Sequence, residues 1–208
     1  MEKLIKMGAE ANIYLDLWRG IEVVKKVRRP KPYWREELDR KIRRIRTSRE
    51  AEFITTVKRF GVLTPIIFFV DPFKGEIIME YINGTRVKDL LREDAEKGYL
   101  MLYEAGKALA KMHTHNIIHG DPTTSNFIVR RDRLYFIDFG LAFYSTRLED
   151  KSVDLHLLKQ VMKSAHSEHF DRGYQNIVRG YESVYGSIKD ILENIQEIER
   201  RGRYAAPD

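Results

Sequence analysis

The chain has 208 residues, 43% of them hydrophobic, and no cysteine, so it can bury a domain-sized core but cannot form disulfides or thiolate metal sites. It contains no apolar run of about 18 residues, which excludes a transmembrane helix. The opening "MEKLIKMGAE" lacks an apolar signal core, so we expect no secretory leader and a cytoplasmic location.

The net charge of +6 is concentrated in one segment. Residues 25–49 carry twelve Lys or Arg against three carboxylates, a local net charge of +9, which leaves −3 for the rest of the chain. A second basic cluster near the C-terminus contains Arg200, Arg201 and Arg203. Such an excess is either a solvated helix face or a surface for nucleic acid or an acidic partner. Both interpretations stay open at this point.

The first 80 or so residues predict strands with one helix among them. The segments "KLIKMG", "NIYLDLW" and "IEVVKKV" alternate apolar and polar residues, which predicts a meander of three short strands. "TPIIFFVD" and "GEIIMEYI" predict two more. From about Trp34 to Phe60 the spacing becomes helical, and Gly61 is a natural stop. The apolar face of this helix is predicted to contain Leu38, Ile42, Ile45, Phe53, Ile54 and Val57.

After Gly84 the pattern changes from strands to helices. Helices are predicted over Val87–Leu91 and Tyr99–His113, a pair of short strands within residues 117–140, and helices from Lys151 onward. The last of these has an apolar stripe at Ile188, Ile191, Leu192, Ile195 and Ile198. The sequence thus predicts an α+β chain with a β-rich N-lobe over residues 1–82 and a mainly helical C-lobe over residues 83–208.

Residues 117–140, "IIHGDPTTSNFIVRRDRLYFIDFG", contain the strongest motif. Kinases use H-R-D-x-x-x-x-N followed by D-F-G, and Asp121, Asn126 and Asp138 reproduce that order and spacing. Phosphoryl transfer needs Mg²⁺ on oxygen ligands and a carboxylate near the nucleophile. We therefore predict Asp121 as the catalytic base and Asn126 and Asp138 as metal ligands. The alternative is a hairpin whose polar residues cap turns, which leaves the run of "YFI" into a carboxylate unexplained.

A kinase-like site also needs a strand lysine and a helix carboxylate that holds it. "EVVKK" offers two neighbouring lysines, of which only one can face the cleft, and the V-x-K setting favours Lys25 over Lys26. Glu50 in "TSREAEF" is the predicted partner, with Glu52 as the fallback. The alternative role for Glu50 is to close a capping box that begins at Thr47.

The nucleotide-covering loop departs most from the kinase pattern. Kinases carry G-x-G-x-x-G there, whereas "MGAEANIY" retains Gly8 and has small residues at Ala9 and Ala11. We predict that residues 8–11, including Glu10, cover the phosphates of ATP. "MEYING" is predicted to be the hinge, with Met79 as gatekeeper and the backbone of Glu80 and Ile82 facing the adenine.

The segment after Asp138 lacks features of peptide-directed kinases. Gly120 replaces the arginine that reads a phosphorylated activation loop, almost no room lies between Gly140 and Lys151, and no A-P-E sequence follows. We predict a truncated activation segment and no ordinary peptide substrate.

These residues resemble a known family, the small PRPK-like atypical kinases of the KEOPS complex in their archaeal form. The resemblance rests on "GAEA", "VVKK" with "RPKPY", "RTSREA", "MEYINGTRVKD", "HGDPTTSNFIV", "IDFGLAF", "EDKSVDLHLL" and the tail "RRGR". It implies a minimal bilobal protein-kinase-like fold with ATP and Mg²⁺ in the cleft, and an activity closer to an ATPase than to a peptide kinase. It assigns Asp121 as base, Asn126 and Asp138 as metal ligands, Lys25 as the phosphate cation and Glu50 as its partner.

The same resemblance implies partners and a pathway. The partners are the ASKHA-fold KEOPS subunit that makes threonylcarbamoyl-adenosine in tRNA and a small helical subunit at the N-lobe. Contact with tRNA is expected through residues 25–49 and the C-terminal tail. The rivals are an aminoglycoside-type small-molecule phosphotransferase, against which the basic excess argues, and a RIO-type kinase, whose motifs differ from "GAEA" and "DFG". A third rival is an RNA-binding pseudokinase, which retention of the four polar site residues disfavours.

Overall fold

The computed structural model describes residues 2–31 and 34–204, with side chains given as far as Arg201. Five antiparallel strands and one long helix form the N-terminal part, as the alternation and the helical spacing predict. The strands pair in the order β1-β2-β3-β5-β4. Their bounds are β1 Lys3–Met7, β2 Ala11–Trp18, β3 Ile21–Arg28, β4 Ile67–Asp71 and β5 Glu76–Glu80. All five precede residue 82, where we predict the boundary between the lobes.

Helix α1 spans Glu36–Thr56 and continues as a 3-10 turn over Val57–Phe60, which ends at Gly61 with φ of +74°. Phe53, Ile54 and Val57 are buried, as predicted. Leu38 and Ile45 are 50% and 41% exposed, so their placement in the core is wrong. The apolar period is present in the first three turns of α1, but no described residue covers Leu38 and Ile45 enough to bury them.

The C-terminal part is mainly helical, with short strands around the polar motif. Its helices are α2 Val87–Glu93, α3 Ala95–Thr114, α4 Leu148–Ala165, α5 Phe170–Tyr185 and α6 Lys189–Tyr204, with a 3-10 turn at Ser167–His169. Its strands are β6 Thr85–Arg86, β7 Ile117–Ile118, β8 Phe127–Arg130, β9 Arg133–Phe136 and β10 Phe143–Tyr144. Ile188, Ile191 and Ile195 are buried, which confirms the predicted stripe. No helix within the described ranges is long and apolar enough to cross a membrane.

The two lobes share one hydrophobic core. Ile54 and Met79 from the N-lobe and Leu109 and Phe136 from the C-lobe belong to the same buried cluster. Leu63, in the segment after α1, forms a parallel bridge with Tyr135, and the N–H of Phe136 donates to the carbonyl of Leu63 at 2.9 Å. The lobes therefore meet through both packing and backbone hydrogen bonds, and the cleft between them contains the predicted site.

Candidate active site

Lys26 is the strand lysine that enters the cleft. Its Nζ lies 2.5 Å from Oε1 of Glu50 and 2.9 Å from Oδ1 of Asp138, and its side chain is buried. Burial alone would lower the pKa of the Lys26 ammonium, but the charges of Glu50 and Asp138 outweigh it and raise the pKa above its ordinary value. The lysine is therefore a fixed cation between the helix carboxylate and the predicted metal ligand.

Lys25, which the sequence analysis favours, faces the other side of β3. There it pairs with Glu2 at 3.4 Å and with Glu76 at 3.3 Å. The prediction is wrong by one residue because neighbouring strand side chains point to opposite faces, and Val24 and Lys26 share the face that lines the cleft. The four-residue spacing of V-A-I-K places its lysine on Lys26 and would have found it.

Glu50 lies in the middle of α1 and is completely buried. Its second oxygen, Oε2, accepts a hydrogen bond from Nη2 of Arg28 at 2.6 Å. The capping-box alternative is wrong because α1 begins eleven residues before Thr47, whose hydroxyl donates instead to the carbonyl of Arg43. Glu52 is exposed. The helix carboxylate of the cleft is therefore Glu50, as predicted, with two cations on it.

Asp121 and Asn126 lie together in the loop between β7 and β8. The Nδ2 of Asn126 donates to Oδ2 of Asp121 at 2.9 Å and to its backbone carbonyl at 3.0 Å. No described residue donates a hydrogen bond to the amide oxygen of Asn126, so this oxygen is available to a cation. Burial raises the pKa of the Asp121 carboxyl above its ordinary value, against the opposing hydrogen bond from Asn126. The backbone N–H of Asp121 donates to Nδ1 of His119, which braces the loop.

Asp138 follows β9 and completes the polar end of the cleft. Its Oδ1 accepts from Lys26 and from the N–H of Gly140, both at 2.9 Å, whereas Oδ2 accepts no hydrogen bond from any described residue. Burial would raise the pKa of Asp138, but the charge of Lys26 and the bond from Gly140 lower it to about 2. The carboxylate is thus ionised at neutral pH. One carboxylate and one amide oxygen form a hard donor pair that fits Mg²⁺, which keeps water and phosphate oxygens as its other ligands.

Asp154 on α4 fixes the backbone at the start of the loop that carries Asp121 and Asn126, the predicted catalytic loop. Its Oδ2 accepts from the N–H of His119 at 2.7 Å, and its Oδ1 accepts from the N–H of Gly120 at 2.8 Å. The Nε2 of His113 lies 3.0 Å from Oδ2, and the side chains of Asp154 and His113 are both fully buried. Asp154 lies within "EDKSVDLHLL", but sequence reasoning gave it no role because its partners His119 and Gly120 lie more than 30 residues earlier in the chain.

Gly120 has a steric reason to be glycine besides the missing regulatory arginine. Its φ is +82°, and a Cβ there would lie 2.4 Å from the carbonyl oxygen of Leu141. Residues 141–147 are the whole connection between Gly140 and α4, and within it β10 pairs with β7. The truncated activation segment that the sequence predicts is therefore packed directly onto the catalytic loop.

The cleft continues into a mainly apolar cavity of about 160 Å³, which Lys26, Asn126 and Asp138 line where it meets the polar end. Its walls include Ile5, Ile13, Val24, Met79, Ile82, Ile128 and Ile137. Met79 is buried at the predicted gatekeeper position. The N–H of Glu80 is not free for an adenine edge, since it donates to the carbonyl of Ile66 at 2.8 Å. The Glu80 carboxylate pairs with Arg130 at 2.9 Å, which ties the hinge to β8.

The loop of residues 8–11, the cover loop, lies over the polar end. The N–H of Gly8 donates to the carbonyl of Ala11 at 3.0 Å, and a Cβ on Gly8 would lie 2.7 Å from that oxygen, so this turn requires glycine. Beneath the loop is a cavity of about 260 Å³ whose lining includes Lys26, Asp121 and Asp138 together with Gly8, Ala9, Glu10 and Ala11. The structure thus brings the predicted cover loop, the predicted base Asp121 and the predicted metal ligand Asp138 to one cavity. Asn126 lines the neighbouring cavity, and Lys25 lines neither.

Comparison with known proteins shows which class of protein has this fold. The protein kinase domain family matches residues 17–167, well over half of the chain. The Rio2 kinase from Chaetomium thermophilum, solved as an ADP/Mg²⁺-phosphoaspartate complex, superposes with a TM-score of 0.60 over 97% of this chain and 70% of that one. At 13% sequence identity this likeness concerns the fold alone. The fold and the family match are those of a protein kinase, and ATP and Mg²⁺ are the general requirements of that class.

Similar sequences then narrow the class. The KEOPS complex subunit Bud32 of Pyrococcus abyssi is 46% identical over 97% of this chain and 96% of its own length. A probable bifunctional tRNA threonylcarbamoyladenosine biosynthesis protein of Methanocaldococcus jannaschii is 43% identical over 98% of this chain, which spans 37% of that longer relative. The chain therefore belongs to the family of small atypical kinases that includes KEOPS subunit Bud32, and the predicted resemblance is confirmed.

Proposed function

We propose that this chain is an ATP- and Mg²⁺-dependent phosphotransferase, an atypical serine/threonine kinase with ATPase activity. We further propose that it acts in the cytoplasm as a KEOPS subunit and supports threonylcarbamoyl-adenosine modification of tRNA. The observation that carries the proposal is the ion pair of Lys26 with Glu50 beside Asp138. Kinase chemistry needs that pair and the metal-binding aspartate in place together.

Each polar residue of the cleft has one role in this proposal. The oxygen of the attacking hydroxyl or water bonds to the γ-phosphorus, and the bond from that phosphorus to the oxygen of the departing ADP breaks. Asp121 accepts the proton of the attacking group. Asn126 and Asp138 hold Mg²⁺, which would neutralise charge on the phosphates. Lys26 contacts the phosphates, and Glu50 keeps Lys26 oriented. The raised pKa of Asp121 favours proton uptake by this carboxylate.

The rest of the cleft binds the nucleotide. Met79 closes the apolar cavity behind the adenine, and the carbonyl of Glu80 and the backbone of Ile82 face the adenine edge. Gly8 and Ala11 allow the cover loop to approach the phosphates closely. The short segment 141–147 offers no extended surface for a peptide, which supports water or a non-peptide acceptor.

The proposal includes a contact with tRNA on the exposed part of residues 25–49. Half of the cations in that segment are buried or half-buried, among them Lys26 and Arg28 in the cleft. The exposed ones are Arg29, Arg35, Arg40, Lys41, Arg44 and Arg49. Of the C-terminal cluster, the side chain of Arg203 lies outside the described residues.

The names of the relatives support the proposed partners. One relative is a KEOPS subunit, and another, a bifunctional protein of tRNA threonylcarbamoyladenosine biosynthesis, contains a matching unit within a longer chain. We therefore propose an ASKHA-fold tRNA-modifying subunit as one partner and a small helical subunit as another.

ATP turnover by the chain alone, with tRNA and with the ASKHA-fold subunit tests the enzymatic proposal. We expect turnover in at least one mixture and a loss of about 100-fold or more in Asp138→Ala, because the metal ligand is removed. Asp190→Ala, which removes an exposed carboxylate on α6, is the matched control. Equal turnover in Asp138→Ala and wild type would overturn the proposed chemistry.

Binding of tRNA at a series of salt concentrations tests the proposed surface. Each lost phosphate contact reduces the slope of log affinity against log salt by about one. We expect a steep slope in wild type, a shallower one in the Lys41→Ala/Arg44→Ala double variant, and no change in Lys163→Ala, an exposed site on α4. A flat salt dependence in wild type would contradict phosphate contacts.

A further inference from the structure

Arg28 has no role in the function proposed above, yet it lies where the cover loop, helix α1 and the segment after Asp138 meet. The residue is 4% exposed; its Nη1 lies 3.0 Å from Oε2 of Glu10 and its Nη2 lies 2.6 Å from Oε2 of Glu50. A Cβ on Gly140 would lie 3.1 Å from that same Nη2, so the guanidinium also rests against the segment that follows Asp138. One side chain therefore touches the cover loop, helix α1 and the metal-binding segment.

Glu10 is the point at which the cover loop is attached to this junction. Besides Arg28, its carboxylate binds Nη1 of Arg46 on α1 at 2.6 Å. The neighbouring carbonyl of Ala9 accepts from Nζ of Lys31 at 2.5 Å. Three cations from the end of β3, the segment after it and α1 thus hold a loop that has only one of the three glycines of the kinase pattern.

Burial decides whether these ion pairs matter. Exposed pairs contribute little to stability, and Arg46 with Glu10, each about 40% exposed, would count for little alone. Arg28 and Glu50 are different, since both are buried and solvent screens their attraction little. Loss of Glu50 would leave two buried cations, Lys26 and Arg28, without the carboxylate that they share. The Nε of Arg28 is buried without a hydrogen-bond partner among the described residues, so Glu10 and Glu50 alone fix the guanidinium.

We propose that Arg28 and Glu10 are positioning residues that hold the cover loop closed over the phosphate end of the cleft. Arg28 also orients Glu50, and through Glu50 it orients Lys26. Because the pair joins the loop to α1, it assembles the cleft without a phosphorylated activation segment, for which residues 141–147 leave no room. The proposal rests on the proposed function only in taking the ligand of the cleft to be ATP.

Amide hydrogen exchange of the ligand-free chain tests the proposal without any nucleotide. In Glu10→Gln we expect the amides of residues 8–11 to exchange about tenfold faster, since two ion pairs are lost. Glu10→Asp should fall between this variant and wild type. Glu76→Gln removes a carboxylate paired with Lys25 on the opposite face of the same sheet and should leave residues 8–11 unchanged. Rising salt should speed exchange in wild type but not in Glu10→Gln.

Nucleotide kinetics separate this inference from the proposed function. We expect Glu10→Gln to raise the KM for ATP and the rate of ADP dissociation by about fivefold to tenfold, with the urea midpoint unchanged. Arg28→Lys keeps the charge but cannot bridge both carboxylates, and should show the same shifts if it folds. Unchanged exchange of residues 8–11 in Glu10→Gln would overturn the positioning role. Faster exchange together with no ATP binding by wild type would overturn the proposed function and leave the positioning role intact.

Discussion

The two walls of the cleft are held by different forces. On the C-lobe wall, the buried carboxylate of Asp154 accepts hydrogen bonds from the backbone of His119 and Gly120. On the N-lobe wall, side chains pair with side chains, and the outermost of these pairs, Glu10 with Arg46, is partly exposed. Salt weakens exposed ion pairs much more than it weakens buried interactions. We call the C-lobe wall, which carries Asp121, the platform, and the N-lobe wall, which holds the cover loop, the cover. The platform is the more rigidly held of the two.

The largest effect is expected where the platform itself is broken. Asp154→Ala leaves two backbone N–H groups and His113 without their buried acceptor, so the free energy of unfolding should fall by about 3 kcal/mol or more. Urea denaturation measures this change. Asp171→Ala, an exposed change on α5, should stay within about 1 kcal/mol of wild type. A small loss in Asp154→Ala would mean that the platform is held by something else.

The two neighbouring lysines of β3 sharpen the comparison from the other wall. Lys26→Met should lower kcat/KM for ATP turnover by about 100-fold or more, because the cation between Glu50 and Asp138 is lost. Lys25→Met should change it by less than about twofold, since Lys25 pairs with Glu2 and Glu76 away from the cleft. Steady-state rates at several ATP concentrations provide the check. The reverse ranking would restore Lys25 to the site.

A comparison of alanine variants at two glycines separates the effect of close packing in the platform from the effect of the backbone angle. Gly120 and Gly20 both have φ of +82°, but a Cβ would meet the carbonyl of Leu141 at the first and nothing within 4 Å at the second. Gly20→Ala should cost about 1 kcal/mol from the left-handed conformation alone, and Gly120→Ala about 2 kcal/mol or more. Thermal and urea unfolding of both variants measure the difference. Equal losses would remove the steric explanation of Gly120.

The smallest effect concerns the carboxylate that faces both walls. Because the pKa of Asp138 in the folded chain is about 2, below its ordinary 3.8, ionised Asp138 favours the folded state above pH 3.8. That contribution is lost as the pH falls toward 2. The unfolding free energy of wild type should therefore decline more than that of Asp138→Asn between pH 4 and pH 2. Parallel curves for the two proteins would contradict the lowered pKa.

Local patterns predicted the platform better than the cover. Asp121, Asn126 and Asp138 lie within 18 residues of chain around one hairpin, so their spacing alone brings them together. To predict the strand lysine, one had to decide which of Lys25 and Lys26 faces the cleft. Composition does not decide this, whereas the V-A-I-K spacing indicates Lys26. Helical periodicity placed Leu38 and Ile45 correctly on one face of α1, but it does not tell whether another part of the chain covers that face.

Contacts between distant parts of the chain were beyond local reasoning. Arg28, Glu10 and Arg46 come from β3, the cover loop and α1, and no local pattern indicated that they pair with one another. Asp154 reaches the catalytic loop from α4, 34 residues after Gly120. A sequence motif can indicate the role of such a residue only when the position of its contact partner in the fold is already known.

The bridge between Leu63 and Tyr135 has a consequence for how the chain unfolds. The lobes share backbone hydrogen bonds there, and one buried cluster runs through both. Separation at residue 82 would expose Ile54 and Met79 on one side and Phe136 on the other. The two predicted lobes therefore form one cooperative unit, and heating should melt them in a single transition.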